Sequence, residues 1–285
     1  MHLYKTSQGN IISHQDQYFL AAEPWDTLIN RDGLFVHLQS FLKPEKRIIQ
    51  HSAQQWITEN LMAPIGSQEV WAAGVTYLRS RDARMEESED SGAADCYQRV
   101  YEADRPELFF KSLAHRVSGH QQTVHIRKDS TWDVPEPELT LYINSNGNIE
   151  GYTIGNDMSS RSIEGENPLY LPQAKMYEKC AGLGPCLWVP DQPISVDTII
   201  QMDIHRNGVK LFDDATALNR MKRKLPELAG WLFKEMDFSS GAFLMTGTCV
   251  VPPNDFTLQE GDVVNISIAG IGVLTNTIAT KSPKQ

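Results

Sequence analysis

The residues most suited to chemistry stand in one stretch, Pro135 to Arg161, where Glu136, Glu138 and Asp157 lie among β-forming residues. Asn146-Gly147 separates two such runs and is a strong two-residue hairpin signal, because both central residues of a type I′ turn need positive φ. On that reading Ser145 faces Asn148, Glu136 faces Asp157 and Glu138 faces Gly155. Side chains alternate faces along a strand, and directly opposed residues share a face with Cβ atoms ~5 Å apart. The three carboxylates then converge on one side of one hairpin. Carboxylates that close either take up protons or hold a cation between them. Oxygen-only ligation suits a hard divalent ion, Mg2+ first, with Mn2+ or Ca2+ as alternatives. The plainer alternative is an acidic hairpin face in water. Pro135 and Pro137 cannot donate to a ladder, so the strand is expected to start at an edge or a bulge. A one-residue slip there would send Asp157 to the opposite face.

The elements that must position this hairpin are mostly strands. Runs at Val70–Val75, Thr123–Ile126, Leu139–Ile143, Thr198–Ile200, Val263–Ile268 and Val273–Leu274 are bounded by Gly, Pro, Asn and Asp. Ala217 to Lys234 reads as a helix in two pieces around Pro226, with the basic cluster Arg220 to Lys224 on a solvated face. The acidic stretch Asp82 to Gly92 reads as a solvated loop or fraying helix, or as a mobile lid beside a site. Pro64-Ile65-Gly66-Ser67 looks like a linker, which divides the chain into a small N-terminal domain, 1–67, and a catalytic domain, 68–285.

Composition narrows the class. The chain has 285 residues, 41% of them hydrophobic, enough for a real core. Its net charge of -10 repels a phosphate backbone and argues against a general nucleic-acid role. A small anionic substrate remains compatible with that sign, because local Arg, Lys or a metal can reverse it. No run of 18 apolar residues exists, so no transmembrane helix is expected. The N-terminus lacks a basic segment followed by an apolar one, which makes the cytosol the expected compartment. Cys96, Cys180, Cys186 and Cys249 form no C-x-x-C pair and read as ordinary thiols.

Glu136-x-Glu138 followed by Gly151-Tyr152-Thr153-Ile154-Gly155-Asn156-Asp157-x-Ser159-Ser160-Arg161 resembles the metal-binding core of the fumarylacetoacetate hydrolase superfamily. So do Pro106 to Lys111, Lys175 followed by Gly184-Pro185, and Thr246-Gly247-Thr248. The resemblance spans roughly residues 70 to 280. It implies a β-rich mixed α/β fold, with a rolled β-sheet catalytic domain, a small N-terminal domain and a homo-oligomer. It also implies Mg2+ on Glu136, Glu138 and Asp157, chelating a 2-oxo acid. Hydrolytic members usually carry Gly-x-Asn-Tyr-x-x-His with a nearby Glu. Here Thr76 replaces that Asn, Ser80 stands in place of that His, and no His falls between residues 52 and 114. Tyr101 to Lys111, Glu166 to Tyr177 and Asn219 to Lys224 are similar to the branch that dehydrates 2-keto-3-deoxy-D-arabinonate.

That branch implies a Mg2+-dependent hydro-lyase, which takes a proton from C3 and expels a hydroxyl from C4 to give 2,5-dioxopentanoate. The resemblance places Lys175 and Glu107 in the pocket as base and acid, in either order. Amines beside a cation in a closed pocket give up protons more readily, which suits a base. Ser80 and Arg81 stand in place of the hydrolytic His, and Arg81 is suited to a carboxylate or sugar hydroxyl. Lys111 either reaches the substrate or braces Asp157, and Thr248 offers a hydroxyl beside Gly247. Two other readings stand beside this one. The first is a C–C hydrolase of acylpyruvate-type diketones, or an oxaloacetate decarboxylase. The second is a non-catalytic sugar-acid binder.

Overall fold

Alternating apolar side chains build the scaffold, and the computed structural model describes it over residues 1–87 and 94–282. Residues 1–67 supply strands β1 (His2–Thr6), β2 (Gly9–His14), β3 (Gln17–Ala21) and β4 (Arg47–Ile48). They also supply helices α1 (Trp25–Ile29), α2 (Leu34–Gln39) and α3 (Gln50–Glu59). The chain continues through β5 (Glu69–Gly74), α4 (Leu78–Glu87), α5 (Ala94–Glu102), β6 (Glu107–Leu113), β7 (Val117–Ser118), β8 (Gln122–Ile126) and β9 (Asp133–Val134). The hairpin follows as β10 (Pro137–Ile143) and β11 (Ile149–Asp157), then β12 (Ser159–Ser160), α6 (Arg161–Glu166), α7 (Leu171–Lys175) and β13 (Ala181–Trp188). The last stretch holds β14 (Ile199–Arg206), β15 (Val209–Ala217), α8 (Leu225–Leu232), β16 (Ala242–Met245), β17 (Val263–Ile268) and β18 (Gly272–Thr280).

Among the described residues, an 11-stranded sheet runs β4-β3-β2-β1-β13-β11-β10-β16-β5-β6, with β7 beside β13. A 5-stranded sheet runs β15-β14-β17-β18-β8, and β9 pairs with β12. The two large sheets enclose the main core, where Leu139, Leu141 and Ile143 of β10 meet Ile200, Ile266 and Leu274. Tyr142, one residue out of phase, joins a second core with Leu34, Leu38, Phe243 and Met245. This is the β-rich mixed α/β class expected, with a rolled β-sheet. No described helix is long and apolar enough to cross a membrane.

The hairpin register is the expected one over the legs: Glu138 pairs with Gly155, and Glu136 and Asp157 exchange both backbone hydrogen bonds. The turn differs. Gly147 alone takes a positive φ, 82°, so Ser145 to Gly147 form a three-residue loop closed by the Asn144–Asn148 pair. Glu150 then bulges between Tyr142–Gly151 and Ile143–Ile149, which restores the register. The bulge aims the Glu150 carboxylate at the backbone N–H groups of Gly33 and Leu34, at 3.0 and 2.8 Å. Asp32 accepts from the side-chain amides of Asn144, Asn146 and Asn148. Residues 1–67 thus grip the hairpin tip. The prolines fall where they remove no ladder bond, since β16 joins β10 only from Thr140 onward.

Two expectations need correction. Residues 209–217 are strand, Leu218–Arg220 a single 3-10 turn, and the helix begins only at Leu225 with Pro226 in its first turn. Proline suits that position and starts the helix rather than breaking it. The basic cluster is therefore no solvated helix face: Arg223 is buried and donates to the carbonyls of Val100, Ala103 and Asp104. The acidic stretch is helical to Glu87, and its remainder, 88–92, lies outside the described residues. Cys180, Cys186 and Cys249 are free and buried.

Candidate active site

Glu136 and Glu138 share the hairpin face opposite Leu139, and Asp157 stands across from Glu136. One ligand oxygen from each of the three lies within 4.8 Å of the others, and all three side chains are buried. Each has a partner brought by another element. Arg161, at the start of α6, donates to Glu136 Oε1 at 2.5 Å. Lys111 on β6 places its ammonium 2.5 Å from Asp157 Oδ1. The backbone N–H of Gly247 donates to Glu138 Oε2 at 2.6 Å. Gly247 holds φ at 95°, and a Cβ there would fall 2.0 Å from Thr76 Oγ1, so this donor requires glycine.

Lys175 closes α7 and is fully buried. Its Nζ donates to Glu136 Oε2, to Asp157 Oδ2 at 3.2 Å, and to Ser159 Oγ. Buried charge is costly unless paired, and here Lys111, Lys175 and Arg161 answer Glu136 and Asp157. Glu138 is the exception to full pairing. Burial first, then the neighbouring Asp157 and Glu136, pushes its carboxyl well above the usual range. An additional cation would favour its charged form. The donor set is all oxygen, and Glu136 Oε2 and Asp157 Oδ2 already converge on one ammonium. These residues fit a hard divalent ion.

Glu107 opens β6 opposite Gly74, and a Cβ on Gly74 would lie 1.9 Å from Glu107 Oε2. The glycine lets that carboxylate come close behind a residue of the cavity wall, although Glu107 itself does not line the small cavity. Gly74, Ser80 and Thr248 line the same small cavity as the three carboxylates and Lys175. A larger cavity, about 610 Å³, has Tyr77, Arg79, Asp82 and Cys249 in its wall, next in sequence to those residues.

Two expected substrate contacts are engaged elsewhere. Lys111 also donates to the carbonyls of Met158 and Lys175, so it braces Asp157 and does not line the cavity. Arg81 pairs with Asp82 through two bonds and lies 5.2 Å from the Tyr101 ring centre. A buried ammonium and a half-buried guanidinium both need such partners. Sequence reasoning assigned no role to Arg161, Ser159 or the Gly247 N–H. All three lie inside motifs already quoted, but the third acts through a glycine 109 residues from its acceptor, a pairing that no local pattern encodes.

Comparison with known proteins agrees with this geometry. Residues 70–279 match the family model "Fumarylacetoacetate (FAA) hydrolase C-terminal". A Haloferax volcanii protein named "Probable 2-keto-3-deoxyxylonate dehydratase" is 46% identical over 226 residues, 79% of this chain and 77% of that one. The "2-dehydro-3-deoxy-D-arabinonate dehydratase" of Saccharolobus solfataricus is 41% identical over 215 residues, 74% of this chain and 72% of that one. A solved structure of 2-keto-3-deoxy-D-arabinonate dehydratase complexed with magnesium and 2,5-dioxopentanoate superposes with a TM-score of 0.84. It is 30% identical and covers 99% of both chains. A buried carboxylate triad on a β-hairpin, matched over this length and to these relatives, makes the chain a member of the fumarylacetoacetate hydrolase family.

Proposed function

We propose that this enzyme dehydrates a 2-keto-3-deoxypentonate, converting 2-keto-3-deoxy-D-arabinonate to 2,5-dioxopentanoate, with Mg2+ on Glu136, Glu138 and Asp157. The observation that carries the reading is Lys175, whose buried amine touches two of those carboxylates. The names of the two relatives support one substrate. A 2-keto-3-deoxypentonate keeps a single stereocentre, C4, and D-xylonate and D-arabinonate share it. Within the D series both names therefore describe one compound.

A divalent ion in the carboxylate cluster would polarise the 2-oxo group and acidify the C3 proton. Lys175, the amine that lines the cavity with the carboxylates, takes that proton after giving up one of its own to solvent. Glu107, reaching past Gly74, protonates the C4 hydroxyl as it leaves. This first elimination gives a 3-ene that still carries a C5 alcohol. A proton then leaves C5 and one returns to C3, and the resulting C4–C5 enol takes a proton at C4 to become the aldehyde. Ser80 and Thr248 stand where substrate oxygens would lie, and the sugar tail extends toward the cavity beside Tyr77. Lys111 keeps Asp157 in place. Every one of these residues falls in 68–285, which supports reading 1–67 as a small N-terminal domain that buttresses the hairpin. A cytosolic homo-oligomer completes the proposal.

The test is formation of 2,5-dioxopentanoate from 2-keto-3-deoxy-D-arabinonate with and without EDTA. Metal-dependent product is expected, with deuterium from D2O at C3 and C4. Cleavage of an acylpyruvate instead, or sugar-acid binding without turnover, would overturn the reading. Exchange at C3 of 2-oxobutanoate, which has no C4 hydroxyl, separates the roles. Lys175→Ala should abolish that exchange, and Glu107→Gln should retain it while losing dehydration.

A further inference from the structure

We propose that the cavity behind the α7–β13 connection is a binding site for a small phosphorylated metabolite, separate from the carboxylate cluster. This cavity, about 780 Å³, is of the size that holds metabolites. Its wall carries Arg116, Arg127, Lys128 and Lys281 against only Asp129 and Glu178. A chain of net charge -10 thus turns locally positive, which is what attracting an anion requires. Asp129 is spent on Arg127, at 2.8 and 2.5 Å. Among the described residues, Arg116, Lys128 and Lys281 form no ion pair.

A second observation points to a ligand. His125 lines this cavity, is 8% exposed, and its buried Nδ1 makes no hydrogen bond among the described residues. Burial, followed by the nearby Lys179, lowers its pKa, and the Glu178 side chain and backbone carbonyl beside the ring oppose that shift. Three unpaired cations and one polar ring suit a phosphoryl group, whose several oxygens can meet guanidinium and ammonium donors together. One localised cavity, rather than a stripe, argues for a metabolite over a nucleic acid.

The site touches the reaction centre through one side chain. Tyr177 lines the cavity with Arg127 5.7 Å from its ring centre, and Lys111, which holds Asp157, lies 5.8 Å from the same ring. Met176, the residue after Lys175, is also in the wall. Occupancy therefore bears on the segment that carries the catalytic amine.

Calorimetry on the full chain, with EDTA present and ionic strength fixed by chloride, tests the proposal independently of turnover. The probes are pyrophosphate and succinate, and EDTA removes any metal that could hold them at the carboxylates. Pyrophosphate is expected to bind one per chain, and at least tenfold more tightly than succinate. Arg116→Ala with Lys281→Ala should weaken it at least tenfold, and the milder surface change Lys128→Gln severalfold. No binding of pyrophosphate at 10 mM, or unchanged affinity in the folded double variant, would overturn the site. Equal affinity for succinate would overturn the phosphoryl preference.

Discussion

The hairpin β10–β11 lines the small carboxylate cavity, which Ser80 of α4 also lines, and the helical pair α4–α5 lines the larger cavity beside it, yet the two regions are held by different means. The hairpin sits inside the large sheet, laddered to β13 on one side and β16 on the other. Each of its carboxylates has an independent partner, from β6, α6, α7 or the Gly247 backbone. Among the described residues, a short stretch, Met221 to Arg223, ties the helical pair to the rest of the chain by hydrogen bonds. Met221 bridges Tyr77, the Lys222 N–H donates to Thr76 O, and Arg223 donates to the carbonyls of Val100, in the last turn of α5, and of Ala103 and Asp104 just beyond it. The end that does chemistry is thus fixed by redundancy. The end proposed to meet the sugar tail is held, among the described residues, chiefly by the Met221 to Arg223 clamp.

The largest expected effect comes from breaking the redundant end. Glu138→Gln removes a carboxylate whose charged form a cation would stabilise and leaves the Gly247 N–H an acceptor. Dehydration should fall ~10³-fold, equivalent to about 4 kcal/mol, and calorimetric Mg2+ affinity should drop in parallel. The melting temperature without metal should hold or rise, because the variant no longer buries a carboxylate whose ionisation is disfavoured. Unchanged Mg2+ affinity would remove Glu138 from the metal site.

Gly74→Ala acts on the boundary between the two regions. Its Cβ would meet Glu107 Oε2 at 1.9 Å, so the carboxylate must move. A displacement near 1 Å typically costs ~10²-fold in rate. The loss should fall on kcat, with Mg2+ affinity intact, since Gly74 touches no metal carboxylate partner. Equal activity would mean that Glu107 does not act from its present place.

Arg223→Ala probes the clamp itself. Three carbonyls lose a buried charged donor, at a cost of roughly 1–3 kcal/mol that should appear locally. Amide hydrogen exchange over residues 97–104 should quicken, and KM should rise severalfold with kcat nearly constant. Uniform quickening across the hairpin as well would show that the two regions are not independent.

Their legibility in the sequence follows the same division. The carboxylate face could be read because a hairpin is local: alternation and a turn signal fix which residues oppose. Even so, the register held by compensation, since the loop gained a residue and Glu150 bulged to restore the pairing. Docking of Glu150 and Asp32 across 112 to 117 residues lies behind that compensation, and no local pattern encodes it. The clamp was misread as a helix face for a related reason. Arg223 meets carbonyls 119 to 123 residues away, so a basic run near a proline looked like amphipathic helix. Lys111 and Arg161 are buried cations whose roles depend on partners from other elements, and their residue types alone do not distinguish brace from binder.

The smallest expected effect asks whether redundancy on the hairpin side extends to every buried carboxylate there. Asp133 lies on β9, beside Ser160 of β12, and is 3% exposed. Burial raises its carboxyl from 3.8 to about 6, partly offset by a bond from Ser130 and by Arg127. No cation contacts it as Lys111 contacts Asp157. Because the folded carboxyl is raised, its ionisation costs stability above pH 6 and costs nothing below about pH 4. Stability from this group therefore falls as pH climbs through that window. Asp133→Asn should remove the fall and stabilise the protein at pH 7.5 by ~1–2 kcal/mol, the amide's weaker bond to Ser130 having been set against the gain. Denaturant unfolding at pH 4 and pH 7.5 measures it, and the variant should gain only at the higher pH. A loss at both would mean that the Asp133 carboxylate is held in its charged form by its neighbours.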